Sequence, residues 1–165
     1  MDDLDAIQAS LASFTQRLDE ASSDRFNELR KCSFFDPIPS EWLTPISEHA
    51  EIRTFAQGQA MTTEGEDMTS FFVILFGTAT AYYRGKAVGI IHSGECIGEG
   101  VFFANETLER SATVTADNHL VVAEFKKSGL DKIKGDAKTY IDKALLIALF
   151  KKLQAANRKI EELLR

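Results

Sequence analysis

The chain has 165 residues, 44% of them hydrophobic, and 25 acidic against 19 basic side chains give a formal net charge of −6. That length and apolar content supply one core with terminal helices, and hardly two domains. The acidic balance argues against direct nucleic-acid binding and against docking on an anionic membrane, since both demand a dense Lys/Arg face.

The opening Met1-Asp2-Asp3-Leu4-Asp5 has neither the basic cap nor the apolar run of a signal peptide, and no stretch approaches the roughly 18 apolar residues of a membrane span. A cytoplasmic protein without membrane insertion is expected. Residues 1–31 are predicted helical. Leu4, Ile7, Leu11, Phe14 and Leu18 recur at alternating spacings of three and four, as in a coiled-coil seam. Ala21-Ser22-Ser23-Asp24 interrupts the stripe, and Ser22 or Ser23 is placed to cap a short helix carrying Phe26 and Leu29. The stripe either docks on the protein's own body or binds a partner chain.

Residues 32–133 change to short strands and turns. Phe34-Phe35-Asp36-Pro37-Ile38-Pro39 reads as extended, and Ser40 as the cap of a helix containing Trp42, Leu43 and Ile46. Strands follow at 52–55, 60–63, 71–76, 78–83, 87–91, 112–115 and 120–125, with turns at Gly58, Gly65, Gly77, Gly85 and Gly94. Short strands with regular glycine turns indicate an antiparallel barrel or jelly roll, so the fold class is mainly β with flanking helices. Residues 134–165 form a long helix, whose stripe Leu146, Leu149, Leu153, Ala156, Ile160 and Leu163 is broadened by Leu145, Phe150 and Leu164. Half of it is expected to pack on the β-rich body, and the rest to pair with a second copy in a homodimer.

Chemistry concentrates between residues 94 and 116. Gly94-Glu95-Cys96-Ile97-Gly98-Glu99-Gly100-Val101 is followed, with ten residues between Glu99 and Arg110, by Arg110-Ser111-Ala112. Glycines let backbone N–H groups approach a phosphate, a carboxylate accepts from a sugar hydroxyl, and a guanidinium neutralises a phosphate through paired hydrogen bonds. The segment resembles the phosphate-binding cassette of cyclic nucleotide-binding domains, found in catabolite activator proteins, protein kinase A regulatory subunits and nucleotide-gated channels. The similarity spans residues 34 to 150. It includes Phe71-Phe72-Val73-Ile74-Leu75-Phe76-Gly77-Thr78-Ala79 and the turns Gly65-Glu66-Asp67 and Ile91-His92-Ser93-Gly94-Glu95.

The resemblance implies that Gly98 and Glu99 meet a ribose 2′-hydroxyl and that Arg110 meets the exocyclic phosphate oxygens. Ser111 and the backbone of Gly100, Val101 and Ala112 would add donors. Val88 and Ile91 would line the apolar wall against the base, and Leu145, Leu146 or Phe150 would cap it. The chain departs from the family pattern where Gly100 replaces a branched aliphatic and Val101 a small residue. The competing reading is an empty pocket in which Arg110 pairs with Glu99 or Glu109.

Other signals are weak. Cys32 and Cys96 have no CxxC spacing and read as buried thiols. His49, His92 and His119 are scattered, without the paired spacing of a metal-dependent jelly-roll enzyme, and no nucleophilic triad can be assembled. Asn105-Glu106-Thr107 is a glycosylation sequon that a cytoplasmic chain would not use. No metal or cofactor is expected. With no DNA-binding or kinase segment after Arg165, the expected function is a non-catalytic receptor of bacterial design. It would bind cAMP ahead of cGMP and signal to an unidentified protein partner by moving its terminal helices. The alternative is an interaction scaffold on a degenerate fold, and regulation of transcription through a partner has no residue-level support.

Overall fold

The computed structural model describes the backbone of residues 2–20 and 22–165, without the side chains of residues 2, 3, 14, 15, 17–20 and 22–24. Phe14, Leu18 and the two candidate capping serines of the N-terminal segment therefore lie outside the described side chains. Helices α1 (Asp2–Glu20) and α2 (Ser22–Arg30) lead the chain. Leu11 is buried, whereas Leu4 and Ile7 stay exposed.

The stretch expected to be extended is instead a 3-10 turn, Ser33–Phe35, followed by further turns. An extended backbone would send Phe34 and Phe35 to opposite faces, but the tighter helical turn lets both reach one core. Both rings are buried and meet edge to face at 4.9 Å. Arg30 closes the turn by donating to the carbonyls of Phe35 and Ile38. Helix α3 (Ser40–Ser47) begins on Ser40 itself, after Pro39, and no side chain caps it. Proline at the preceding position sets the backbone there, so the serine hydroxyl is not needed as a cap.

The β-rich part holds ten strands: β1 (Ala50–Phe55), β2 (Ala60–Thr62), β3 (Asp67–Met68), β4 (Ser70–Phe76), β5 (Ala79–Tyr83), β6 (Lys86–Ile91), β7 (Cys96–Ile97), β8 (Leu108–Glu109), β9 (Thr113–Ala116) and β10 (Leu120–Lys126). Two four-stranded antiparallel sheets, ordered β1-β10-β4-β7 and β2-β9-β5-β6, are joined by the small β3-β8 ladder. This is a mainly β jelly roll made of separate sheets, not a closed barrel. Strands β3, β7 and β8 have two residues each, too short for any alternation to show in the sequence. Helices α4 (Gly100–Phe103), α5 (Lys127–Leu130) and α6 (Gly135–Leu163) complete the chain. Among the described residues, no helix is long and apolar enough to cross a membrane.

Strand β4 separates two cores. Phe71 and Val73 pack with Phe125, Ala123, the 3-10 turn and the base of α6, while Phe72 and Ile74 face inward with Val122, Leu120 and Val114. The two-residue alternation of a strand buried on both faces explains its continuous apolar run. At its end Gly77 adopts φ +90, and a Cβ there would collide with the His119 carbonyl. Helix α6 buries Ala137, Ile141, Ala144 and Leu145 in the outer core, whereas residues from 150 onward are exposed.

The stack of Phe71 on Phe125, with centroids 5.0 Å apart and planes 10° from parallel, lies at the centre of the outer core. Phe71→Ala is expected to lower stability by about 3–5 kcal/mol in urea denaturation.

Candidate functional site

Turn, helix and strand converge on one cavity of about 550 Å³ between the β2-β9-β5-β6 sheet and α6. The chain enters it through β7, turns at Gly98 with φ +78, runs into α4, and returns along β8 to Arg110. Arg110 is fixed at its backbone first. Its N–H donates to the Glu66 carbonyl at 2.7 Å, and its own carbonyl accepts from Gly65 N–H at 2.9 Å.

Its side chain then turns inward, and the residue is only 8% exposed. Nη2 donates to the Ser70 carbonyl at 2.8 Å, and the Cζ atom lies 5.3 Å from the centroid of Phe72. A Cβ on residue 98 would collide with Arg110 Nη1, so the missing side chain of Gly98 makes room for this cation. Desolvation lowers the Arg110 pKa, and the carboxylates of Glu124 and Glu66 oppose that shift. Behind the cation a relay continues. Ser70 Oγ donates to Glu124 Oε1 at 2.7 Å, and Arg53 Nη1 donates to Glu124 Oε2 at 3.1 Å.

Arg110 pairs with neither Glu99 nor Glu109, which overturns the empty-pocket pairing. Among the described residues it makes no direct ion pair with any carboxylate; Glu99 is instead bound by Lys152 Nζ of α6, at 2.5 Å from Oε1. A nearly buried guanidinium whose direct acceptors belong to a serine retains affinity for an anion.

Of the expected residues, the structure brings together Gly98, Glu99, Gly100, Arg110, Ser111, Ala112, Val88 and Ile91 in the lining of one cavity. Val101 is set apart. Its side chain is 3% exposed in the outer core, and its N–H donates to the Gly98 carbonyl at 3.2 Å. The unusual Gly100 also has a local reason: Leu108 Cδ1 would lie 3.3 Å from a Cβ there, so Leu108 occupies the space an aliphatic side chain would fill.

None of the three expected capping residues reaches the cavity. Leu145 is fully buried in the outer core, and Leu146 and Phe150 point to solvent. Leu149 and Lys152 line it from α6 instead. The sequence stripe was too broad to fix which face turns inward. Leu149 in particular looks like a seam residue by spacing. Ser70 and Glu124 were also missed, although a lone carboxylate inside Leu120-Val121-Val122-Ala123-Glu124-Phe125 is a readable signal. A second cavity of about 530 Å³ adjoins the first, sharing Ala81, Val88, Ile91 and Lys152 as walls.

Cys96 is fully buried, and burial pushes its thiol up to about 12; Cys32 is also buried, and its thiol is raised for the same reason. Among the described residues, no group of three His, Cys, Asp or Glu side chains is placed to hold a metal ion.

The chain is similar to a cGMP-dependent protein kinase of Eimeria tenella, at 28% identity over 127 residues, covering 74% of this chain and 12% of the kinase. It is similar to a cAMP-dependent protein kinase regulatory subunit of Eremothecium gossypii, at 34% identity over 93 residues, covering 54% of this chain and 19% of the subunit. The chain thus spans less than a fifth of either relative. In fold it is similar to the regulatory domain of Toxoplasma gondii PKA co-crystallised with cAMP, with a TM-score of 0.61 and 20% identity, over 78% of this chain and 49% of that one. The family profile described as the cyclic nucleotide-binding domain matches residues 52–135, just over half of the sequence. With that match, the jelly roll and the cassette geometry in place, this chain belongs to the cyclic nucleotide-binding domain family.

Proposed function

We propose that the protein is a non-catalytic receptor for a cyclic mononucleotide, cAMP in preference to cGMP, that passes occupancy of its cavity to helix α6 and so to a protein partner. The observation that carries this reading is Arg110: a residue 8% exposed, lining a cavity, whose guanidinium has no directly paired carboxylate among the described residues. A phosphate held there gains charge-assisted hydrogen bonds that water supplies poorly at so desolvated a site. Glu99 lines the same cavity and would be the acceptor for a ribose hydroxyl, and Ser111 and Ala112 follow Arg110 in the lining.

The base would lie against Ala81, Val88, Ile91 and Leu149. This wall carries no polar side chain to satisfy the additional donors and acceptors of guanine, which supports adenine. The same chemistry makes the chain a sensor and gives it no reacting group. Titration calorimetry with cAMP, cGMP and cyclic di-GMP tests the reading. Micromolar or tighter binding of cAMP is expected, with Arg110→Ala weakening it about 100-fold or more while circular dichroism stays native. Absence of heat with all three, in folded protein freed of co-purified nucleotide, would leave the fold as an interaction scaffold.

Gly98→Ala provides an independent check, because it displaces the guanidinium without removing a charge. Binding about tenfold weaker or worse is expected, with the melting temperature lowered only modestly.

The partner proposed for α6 is a second copy. The exposed residues Leu146, Phe150, Leu153 and Ile160 keep alternating spacings of four, three and seven, with Asn157 at the intervening seam position. An asparagine at such a position is satisfied by the same asparagine of a parallel, in-register copy. Leu153→Asp is expected to convert the dimer to monomer in sedimentation velocity, leaving the β-rich body folded.

A further inference from the structure

Helix α6 touches the cavity mouth through two residues, Leu149 and Lys152. The second of these makes, among the described residues, the last hydrogen bond from α6 to the rest of the chain. Its ammonium crosses to Glu99 Oε1 at 2.5 Å, with the Glu99 side chain 10% exposed and that of Lys152 42% exposed. Glu99 in turn precedes α4, where its carbonyl accepts from Phe102 N–H at 3.1 Å. One ion pair therefore ties the far half of α6 to the start of the cassette.

Charge around the cavity gives this pair a second consequence. Its ionisable lining consists of Glu99, Arg110 and Lys152, one negative group and two positive ones. Without Lys152 the buried carboxylate would face an incoming anion with only Arg110 to offset it. With Lys152 the site keeps a net positive charge suited to a monoanion, and like-charge repulsion from Glu99 is neutralised at short range. The pair leaves the cavity at about 550 Å³. A carboxylate has a second oxygen and several acceptor positions, so a sugar hydroxyl can bond to Glu99 while the lysine stays in place.

We propose that Lys152 is a clamp: it sets the anion preference of the cassette by neutralising Glu99, and it holds α6 over the mouth, so that ligand affinity and helix order rise and fall together. The inference rests on the reading of this cavity as a nucleotide site. Lys152 is here a positioning residue acting through Glu99. By linkage, whatever orders α6 strengthens binding, and bound ligand orders α6 to the same degree.

Lys152→Met, Lys152→Arg and Lys159→Met separate the possibilities, the last removing the same charge from an exposed position of α6. Each is compared with the unaltered protein by calorimetry with cAMP and cGMP and by amide hydrogen exchange without ligand. Lys152→Met is expected to bind about five- to tenfold more weakly and to exchange faster in α6 beyond Leu149. Lys152→Arg should restore both properties, and Lys159→Met should alter neither. Equal or tighter binding by Lys152→Met, or unchanged exchange in α6, overturns the clamp. If the unaltered protein binds neither nucleotide, the receptor reading falls, and the exchange data alone then decide whether the clamp on the helix exists.

Discussion

A guanidinium held out of water beside a glycine is the constraint around which the functional half of this molecule is arranged. Arg110 reaches its place because residue 98 has no Cβ, because the turn carrying Gly65 and Glu66 grips its backbone on both sides, and because Ser70 offers a carbonyl at 2.8 Å. Each partner is set by a different element: β7, the β2–β3 turn and β4. Desolvating a cation is costly, and the nearby carboxylate of Glu124 is separated from it by the serine hydroxyl. The arrangement tolerates the cation without saturating it, which is the condition for an anion site.

The second organising fact is the position of α6. Its first half is built into the outer core through Ala137, Ile141, Ala144 and Leu145, while its second half leaves the body. Lys152 lies where the two regimes meet. A helix anchored at one end and weakly held at the other responds to small changes near the crossover, and Glu99 of the cassette is the group that meets it there.

Much of this was legible in the residues. The glycine turns and the continuous apolar run of Phe71 to Phe76 gave the jelly roll, because their backbone demands are local. Gly98, Glu99 and Arg110 stood out because glycine, carboxylate and guanidinium are the groups a sugar phosphate needs, in an order that resembles a phosphate-binding cassette. What could not be read depended on distant parts of the chain. Phe34 and Phe35 looked extended because only Phe71 and Phe125, which pack around them, require a helical turn there. Leu149 and Lys152 were hidden because a helix with apolar residues on several sides does not reveal which one faces inward. Val101 was expected to offer a backbone donor, yet its side chain is buried in the outer core and its N–H is taken by the Gly98 carbonyl.

Strand β4 contributes to both hydrophobic clusters at once, with Phe71 and Val73 on one side and Phe72 and Ile74 on the other. A partition shared in this way cannot soften for one compartment alone. Thermal disruption around the cassette must also loosen the scaffold beneath the terminal helices, so the β-rich body and the buried half of α6 should melt as one cooperative unit. Any messenger bound inside would then raise the melting point of regions it never touches.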